Sequence, residues 1–109
     1  MQLSTTFRGL SRAESASATS NLERNMTRLD RLLERPVQVR AVVEGGPPEH
    51  RVMLSMSVEG EDLNAQSNGY DLTTAINEAC ERLRNQLLRR RRRREANRQK
   101  PNSPVSATS

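Results

Sequence analysis

Apolar and polar residues alternate from the second position onward. Leu3, Thr5 and Phe7 fall on one side, and Gln2, Ser4 and Thr6 on the other, the period-two pattern of a half-buried strand. Gly9 breaks the alternation. Ser11-Arg12-Ala13-Glu14 then fits a capping box, in which the serine hydroxyl and the glutamate satisfy amides left unpaired at a helix start. The period changes to that of a helix: Leu22, Met26, Leu29 and Leu33 share one face, and Pro36 stops it. Serines between Ser15 and Ser20 are weak helix formers, so the first turns are expected to fray.

Alternation then returns. Val37, Val39, Ala41 and Val43 predict a second strand, with Gln38 and Arg40 turned the other way, and Gly45-Gly46-Pro47-Pro48 predicts a turn. Val52, Leu54, Met56 and Val58 alternate with Arg51, Met53, Ser55 and Ser57 in a third strand. Gly60 punctuates, Leu63 and Ala65 predict a short fourth strand, and Asn68-Gly69 reads as a loop. Asp71 is placed to cap a final helix whose stripe is Leu72, Ile76, Ala79, Leu83 and Leu87. The predicted order is β-α-β-β-β-α. Two apolar helix stripes and one apolar sheet face are buried together when both helices pack on one face. That gives a two-layer α+β domain over residues 1–94, with a four-stranded sheet whose other face is polar and solvated. The segment from Glu95 to Ser109, with Pro101, Pro104 and few apolar residues, is expected to be a disordered tail.

Composition limits the core more than it directs it. Of 109 residues 33% are apolar and 2% aromatic, so the core is small and made of Leu, Val, Met and Ala. Each fully buried aliphatic side chain contributes roughly 1.5–3 kcal/mol, enough to offset chain entropy only narrowly. No apolar run approaches the ~20 residues of a membrane span, and there is no apolar stretch followed by a small-residue cleavage site. The first twenty residues, rich in Ser and Thr with Arg8, Arg12 and Glu14, have something of a transit peptide's composition, yet they also read as a strand running into a helix. Cys80 is the single cysteine, which excludes an internal disulfide and fits a reducing compartment.

Charge changes the picture. The net +5 divides unevenly: residues 1–79 hold eight arginines against eleven acids, a balance of −3, while residues 80–109 carry +8. A concentrated positive end calls for a polyanion, nucleic acid or an acidic surface. Arg24, Arg28, Arg31 and Arg35 fall within about 60° of one another if the first helix reaches that far. Such a face is either plain solvated surface or an anion contact. Arg89 to Arg94 are six arginines in succession at the end of the last helix. Arg90 and Arg94 come where Leu83 and Leu87 pointed inward, so core contact should end near Leu88, and the helix beyond should project with arginine on every side. Were all six to meet phosphates, log K would fall with log salt at a slope of about −4 to −5. A solubilising or import tail is the blander alternative. Phe7 and Tyr70 are the only aromatics, too few for the stacking platform of a single-strand reader. No helix-turn-helix or zinc pattern suits duplex DNA. Phosphates and shape, as in a folded RNA, are what this chain can recognise.

Catalysis finds no candidates. His50 and Cys80 are the only imidazole and thiol, so neither a His-based triad nor a Cys/His metal cluster can be assembled. His50 falls at the turn into the third strand, Cys80 beside the last apolar stripe and half buried, and Glu59, Glu61 and Asp62 at a turn where solvated acids are ordinary. No enzyme, cofactor, metal or small-molecule substrate is expected.

An ordered set of segments resembles the short ribosome hibernation promoting factors, also called ribosome-associated inhibitors or sigma-54 modulation proteins. They are Leu29-Asp30-Arg31-Leu32-Leu33, His50-Arg51-Val52, Asp62-Leu63-Asn64-Ala65, Asp71 through Ala79, and Arg82-Leu83-Arg84-Asn85-Gln86-Leu87. No one segment is highly specific. The resemblance implies a cytoplasmic protein that binds the small ribosomal subunit near the decoding centre, occupies the paths of mRNA and tRNA, and silences idle ribosomes. The rRNA contacts it implies fall on Arg82, Arg84, Arg89, Arg90, Arg91, Arg92, Arg93 and Arg94, with Arg24, Arg28, Arg31 and Arg35 behind them. It implies no membrane and no DNA partner. The long form's dimerisation module is not present in these residues. Two other classes fit the layout: a generic binder of structured RNA, since α-β-β-β-α is also the order of double-stranded-RNA domains, and a basic adaptor for an acidic protein. The lysine cluster that opens the last helix of the former is missing at Asp71-Leu72-Thr73-Thr74.

Overall fold

The computed structural model describes residues 2–99. In chain order it contains β1 (Gln2–Arg8), α1 (Arg12–Asp30), β2 (Gln38–Glu44), β3 (His50–Val58), β4 (Glu61–Gly69) and α2 (Leu72–Gln99). The strands lie in the order β1-β2-β3-β4, β1 parallel to β2 and the other two pairs antiparallel. A parallel neighbour requires a crossover, and α1 supplies it.

Register turns the period-two pattern into three inward rows: Leu3-Val39-Met56-Leu63, Thr5-Ala41-Leu54-Ala65 and Phe7-Val43-Val52-Ser67. On them α1 lays Ala18, Leu22, Met26 and Leu29, and α2 lays Ala75, Ile76, Ala79, Cys80, Leu83 and Leu87, in one continuous core. Both helices therefore cover the same sheet face, as the sequence predicts. The outward rows are mostly polar. In one of them Arg8 and Arg51 flank Glu44 at 3.3 and 3.9 Å.

The helix starts follow the predicted caps. Ser11 and Glu14 form the full capping box, and the Asp71 carboxylate accepts from the Thr74 amide at 2.8 Å and from its hydroxyl at 2.7 Å. Each of those carboxyls is held below its ordinary range: that of Asp71 by Thr74's side chain and then its amide, and that of Glu14 by the backbone of Ser11 and then its hydroxyl.

Four features differ from expectation, three element boundaries and one burial. First, α1 ends at Asp30 rather than at Pro36. The amides of Arg31, Leu32 and Leu33 bond to carbonyls three residues back, at 3.3, 2.9 and 3.2 Å, which tightens and closes the last turn. Proline at 36 then disfavours the α conformation at Arg35. Leu33 packs against the core from a loop instead of from the helix. Second, β4 is a full partner of β3, from Glu61 to Gly69, so Asn68 and Gly69 pair rather than loop. Its third inward position is Ser67, 2% exposed, whose hydroxyl donates to the Ala75 carbonyl. Third, Cys80 is fully buried, 3% exposed, not half buried. α2 also continues through Glu95 to Gln99, into the segment expected to be a tail. The rest of that segment lies outside the described residues.

Candidate nucleic-acid interface

The length of α2 shapes the candidate interface. Its 28 residues span about 42 Å at 1.5 Å each, whereas the nine residues of β4 span about 30 Å. The helix starts at one end of the sheet, crosses β4 and β3, and overhangs the other. On the way it covers the free edge of β4: Arg82 donates to the Gln66 carbonyl, and Gln86 to that of Asn64. This satisfies backbone groups that an open edge would offer to another chain.

Apolar contact ends at Leu87, in agreement with the sequence, but the packing does not. The overhang is not a rod with arginine free on every side. Arg90 continues the inward stripe and meets the β3–β4 turn, its Nη2 2.5 Å from Glu59 Oε1 and its Nε 3.2 Å from Glu61 Oε1. Arg93 Nη2 reaches Glu61 Oε2 at 2.8 Å, and Arg94 Nη1 reaches Glu59 Oε1 at 2.7 Å. The Arg90 side chain is only 12% exposed. Glu59 and Glu61 are thus paired rather than merely solvated. The Arg90 hydrogen bond, helped by the charges of Arg94, Arg90 and Arg35, holds the Glu59 carboxyl below its ordinary range, and the bond from Arg93 does so first for Glu61.

These two acids are what sequence reasoning missed. The available signal was the stripe itself: a helix face that passes from Leu83 and Leu87 to Arg90 and Arg94 without turning away needs acids opposite it.

The remaining arginines present themselves outward. Arg89 and Arg92 are exposed and have no ion pair among the described residues. Arg91, Arg84 and Arg82 approach Glu95, Glu81 and Glu78 at only 3.8–3.9 Å, surface pairs of little strength. On the other helix Arg24 and Arg28 point away from the core, Arg31 is the C-cap, and Arg35 lies in the following loop. Sequence-predicted helical stacking of all four arginines therefore does not occur.

Topology nevertheless gathers part of the set. The segment after α1, the end of β3 and the last turns of α2 meet at one end of the sheet. They frame a cleft of about 560 Å³ whose lining includes Arg31, Arg35, Arg90, Arg91 and Arg94 together with Glu34, Glu59 and Glu95. Arg24, Arg82 and Arg84 lie outside that cleft.

Elsewhere the chemistry is sparse. Among the described residues no group of His, Cys, Asp and Glu is arranged to hold a metal, and no helix is long and apolar enough to cross a membrane. His50 Nδ1 accepts from the Gly46 amide at 3.4 Å, and burial pushes the Cys80 thiol up to about 12, leaving it protonated and inert.

Comparison with known proteins matches residues 8–95 to the family described as sigma 54 modulation protein / S30EA ribosomal protein. No curated protein matches the chain significantly. Among solved structures, the crystal structure of the Thermus thermophilus Protein Y N-terminal domain superposes with a TM-score of 0.70 at 22% identity, over 82% of this chain and 98% of that one. A ribosomal subunit interface protein from Coxiella burnetii superposes with a TM-score of 0.62 at 16% identity, over 84% of this chain and 98% of that one. At these identities both likenesses speak for the fold.

Proposed function

The chain belongs to the sigma 54 modulation protein / S30EA ribosomal protein family, a family of ribosome-associated factors rather than enzymes, and from that premise we propose that it is a hibernation factor acting on the small subunit. It binds small-subunit rRNA near the decoding centre in the cytoplasm, and its body occludes the paths of mRNA and tRNA. Residues 1–94 make up the binding domain.

The observation that carries this reading is the overhanging end of α2, where Arg89 and Arg92 stand exposed and unpaired among the described residues. Like charges in succession repel, and a helix presenting them to solvent is stabilised when phosphates neutralise them. Guanidinium groups pair with phosphate oxygens in a two-pronged geometry that lysine cannot match. Of the wider set, Arg24, Arg28, Arg31, Arg82, Arg84 and Arg91 are available at the surface. Arg35 is exposed in the loop after α1, whereas Arg90, Arg93 and Arg94 bind only by sharing or exchanging their contacts with Glu59 and Glu61.

Sucrose-gradient sedimentation of lysate at low and high salt tests the proposal. The protein should travel with the small subunit or the 70S particle at low salt, leave it at high salt, and lose it at low salt when Arg89 and Arg92 become glutamate. A protein that stays at the top of the gradient at low salt, even from starved cells, refutes the ribosome as partner and points to a smaller RNA or an acidic protein.

A further inference from the structure

Glu59 stands where a glutamate has no local reason to stand. Its φ is +51°, and Gly60 follows at +85°, so the two-residue turn between β3 and β4 has positive φ at both positions. Such turns favour Asn, Asp or Gly, because a longer side chain crowds the backbone in the left-handed region. The compensation lies across the cleft. The Glu59 carboxylate sits 2.5 Å from Arg90 and 2.7 Å from Arg94, and Arg35 lines the same cleft. One oxyanion held by two guanidinium groups, with a third lining the same open cleft, stands where a phosphate would be received. Arg90 is also tied to Glu61 through Nε at 3.2 Å, so its guanidinium keeps its place when Glu59 swings out.

We propose that this cleft is a phosphate-binding site, in which Arg35, Arg90 and Arg94 hold the phosphate and Glu59 is the resident anion that the phosphate displaces. The lining has five arginines against three glutamates, so the site is cationic even with Glu59 in place. Its volume of about 560 Å³ is that of a small-ligand pocket, roomy enough for one nucleotide unit. Displacement needs no rearrangement of the core, since Glu59 leaves from an exposed turn. A phosphodiester of folded RNA and a free phosphate compound offer the same chemistry, so the site stands whether or not the ribosome is the partner.

Nuclear magnetic resonance of the arginine Nε–H groups of the full chain, titrated with inorganic pyrophosphate and separately with a short RNA hairpin, tests this. The signals of Arg90 and Arg94 should move and saturate with at least one ligand. Saturation by pyrophosphate identifies a site for free anions, and saturation by the hairpin alone identifies one for RNA backbone. Glu59→Gln should tighten binding about fivefold, and Arg35→Gln should weaken it by a similar factor, the scale of one ion pair at a partly exposed site. If Glu59→Gln fails to fold, Glu59→Asn, which suits the turn, replaces it. Signals unmoved by both ligands, or an affinity indifferent to loss of the Glu59 charge, overturn the proposal. Ribosome sedimentation of the unsubstituted chain is read separately: failure to travel with the ribosome while the site still titrates refutes the hibernation reading alone.

Discussion

Ser67 and Cys80 lie at the same depth in the core and solve the problem of a buried heteroatom differently. The Ser67 hydroxyl finds an acceptor in the Ala75 carbonyl. Cys80 behaves as a small apolar residue whose thiol is pushed up to about 12 by desolvation. At pH 8 about one thiol in ten thousand is then ionised, and the thiolate is the reactive form. Cys80 should resist a soluble thiol reagent in native protein and be modified at the rate of unfolding, with labelling accelerated sharply across the urea transition. Fast labelling without urea would show that α2 opens locally. Leu83 gives the complementary case, being wholly buried with no polar atom. Leu83→Ala should cost about 2–5 kcal/mol, seen as a lower urea midpoint at unchanged m-value.

Among the elements, the overhang of α2 depends most on a contact distant in sequence. Glu59 and Glu61 titrate below their ordinary range in the folded chain. Their pairs therefore add stability that is fully present above the unfolded carboxyl value near 4.5 and is lost as pH falls through the lower folded values. Amide exchange at residues 89–94 should hold constant from pH 7 to 5, after correction for intrinsic rate, and lose protection in stronger acid. The double variant Glu59→Gln, Glu61→Gln should abolish that acid step at 89–94 while leaving the steps at the helix starts, where Glu14 and Asp71 titrate low as well. An acid step that survives the variant would assign it to the caps. The same contact explains what was legible from sequence. All six elements followed from periodicity, because Val39, Ala41, Val43, Val52, Leu54 and Met56 alternate without interruption and Leu22, Met26 and Leu29 repeat at helical spacing. Boundaries were missed where a residue's role depends on a partner far along the chain. Leu33 keeps the helical phase yet packs from a loop, Ser67 is polar and buried, and Arg90 is charged and inward-facing. In the same way, the arginine set was found by composition, whereas its division into paired and open members came only with the β3–β4 turn beside it.

For the whole molecule, that division decides how binding responds to salt. Each arginine that takes a phosphate in place of solvent lets the nucleic acid release counterions, lowering the slope of log K against log salt by about 0.7–0.9. On the proposed function, Arg89 and Arg92 are such residues. Arg94 is already paired with Glu59, and Arg93 with Glu61, carboxylates that both share with Arg90. When a phosphate takes either arginine, the released carboxylate gathers cations of its own, so the exchange is nearly neutral in counterions even where it adds affinity. All six arginines acting independently would give −4 to −5, whereas this arrangement predicts about −2 to −3 from the run, carried by Arg89, Arg91 and Arg92. Replacing Arg89 and Arg92 by glutamine should reduce the slope for rRNA by about 1.5. Replacing Arg93 and Arg94 should weaken binding at low salt while changing the slope by less than half as much. Filter-binding titrations between 50 and 300 mM salt, run on the full chain and both double variants with one rRNA fragment, measure the two quantities together. Equal slope losses would mean that the acidic turn releases its arginines before RNA arrives. A larger loss from Arg93 and Arg94 would mean that the acid-paired side of the run, rather than its open side, is the principal phosphate contact.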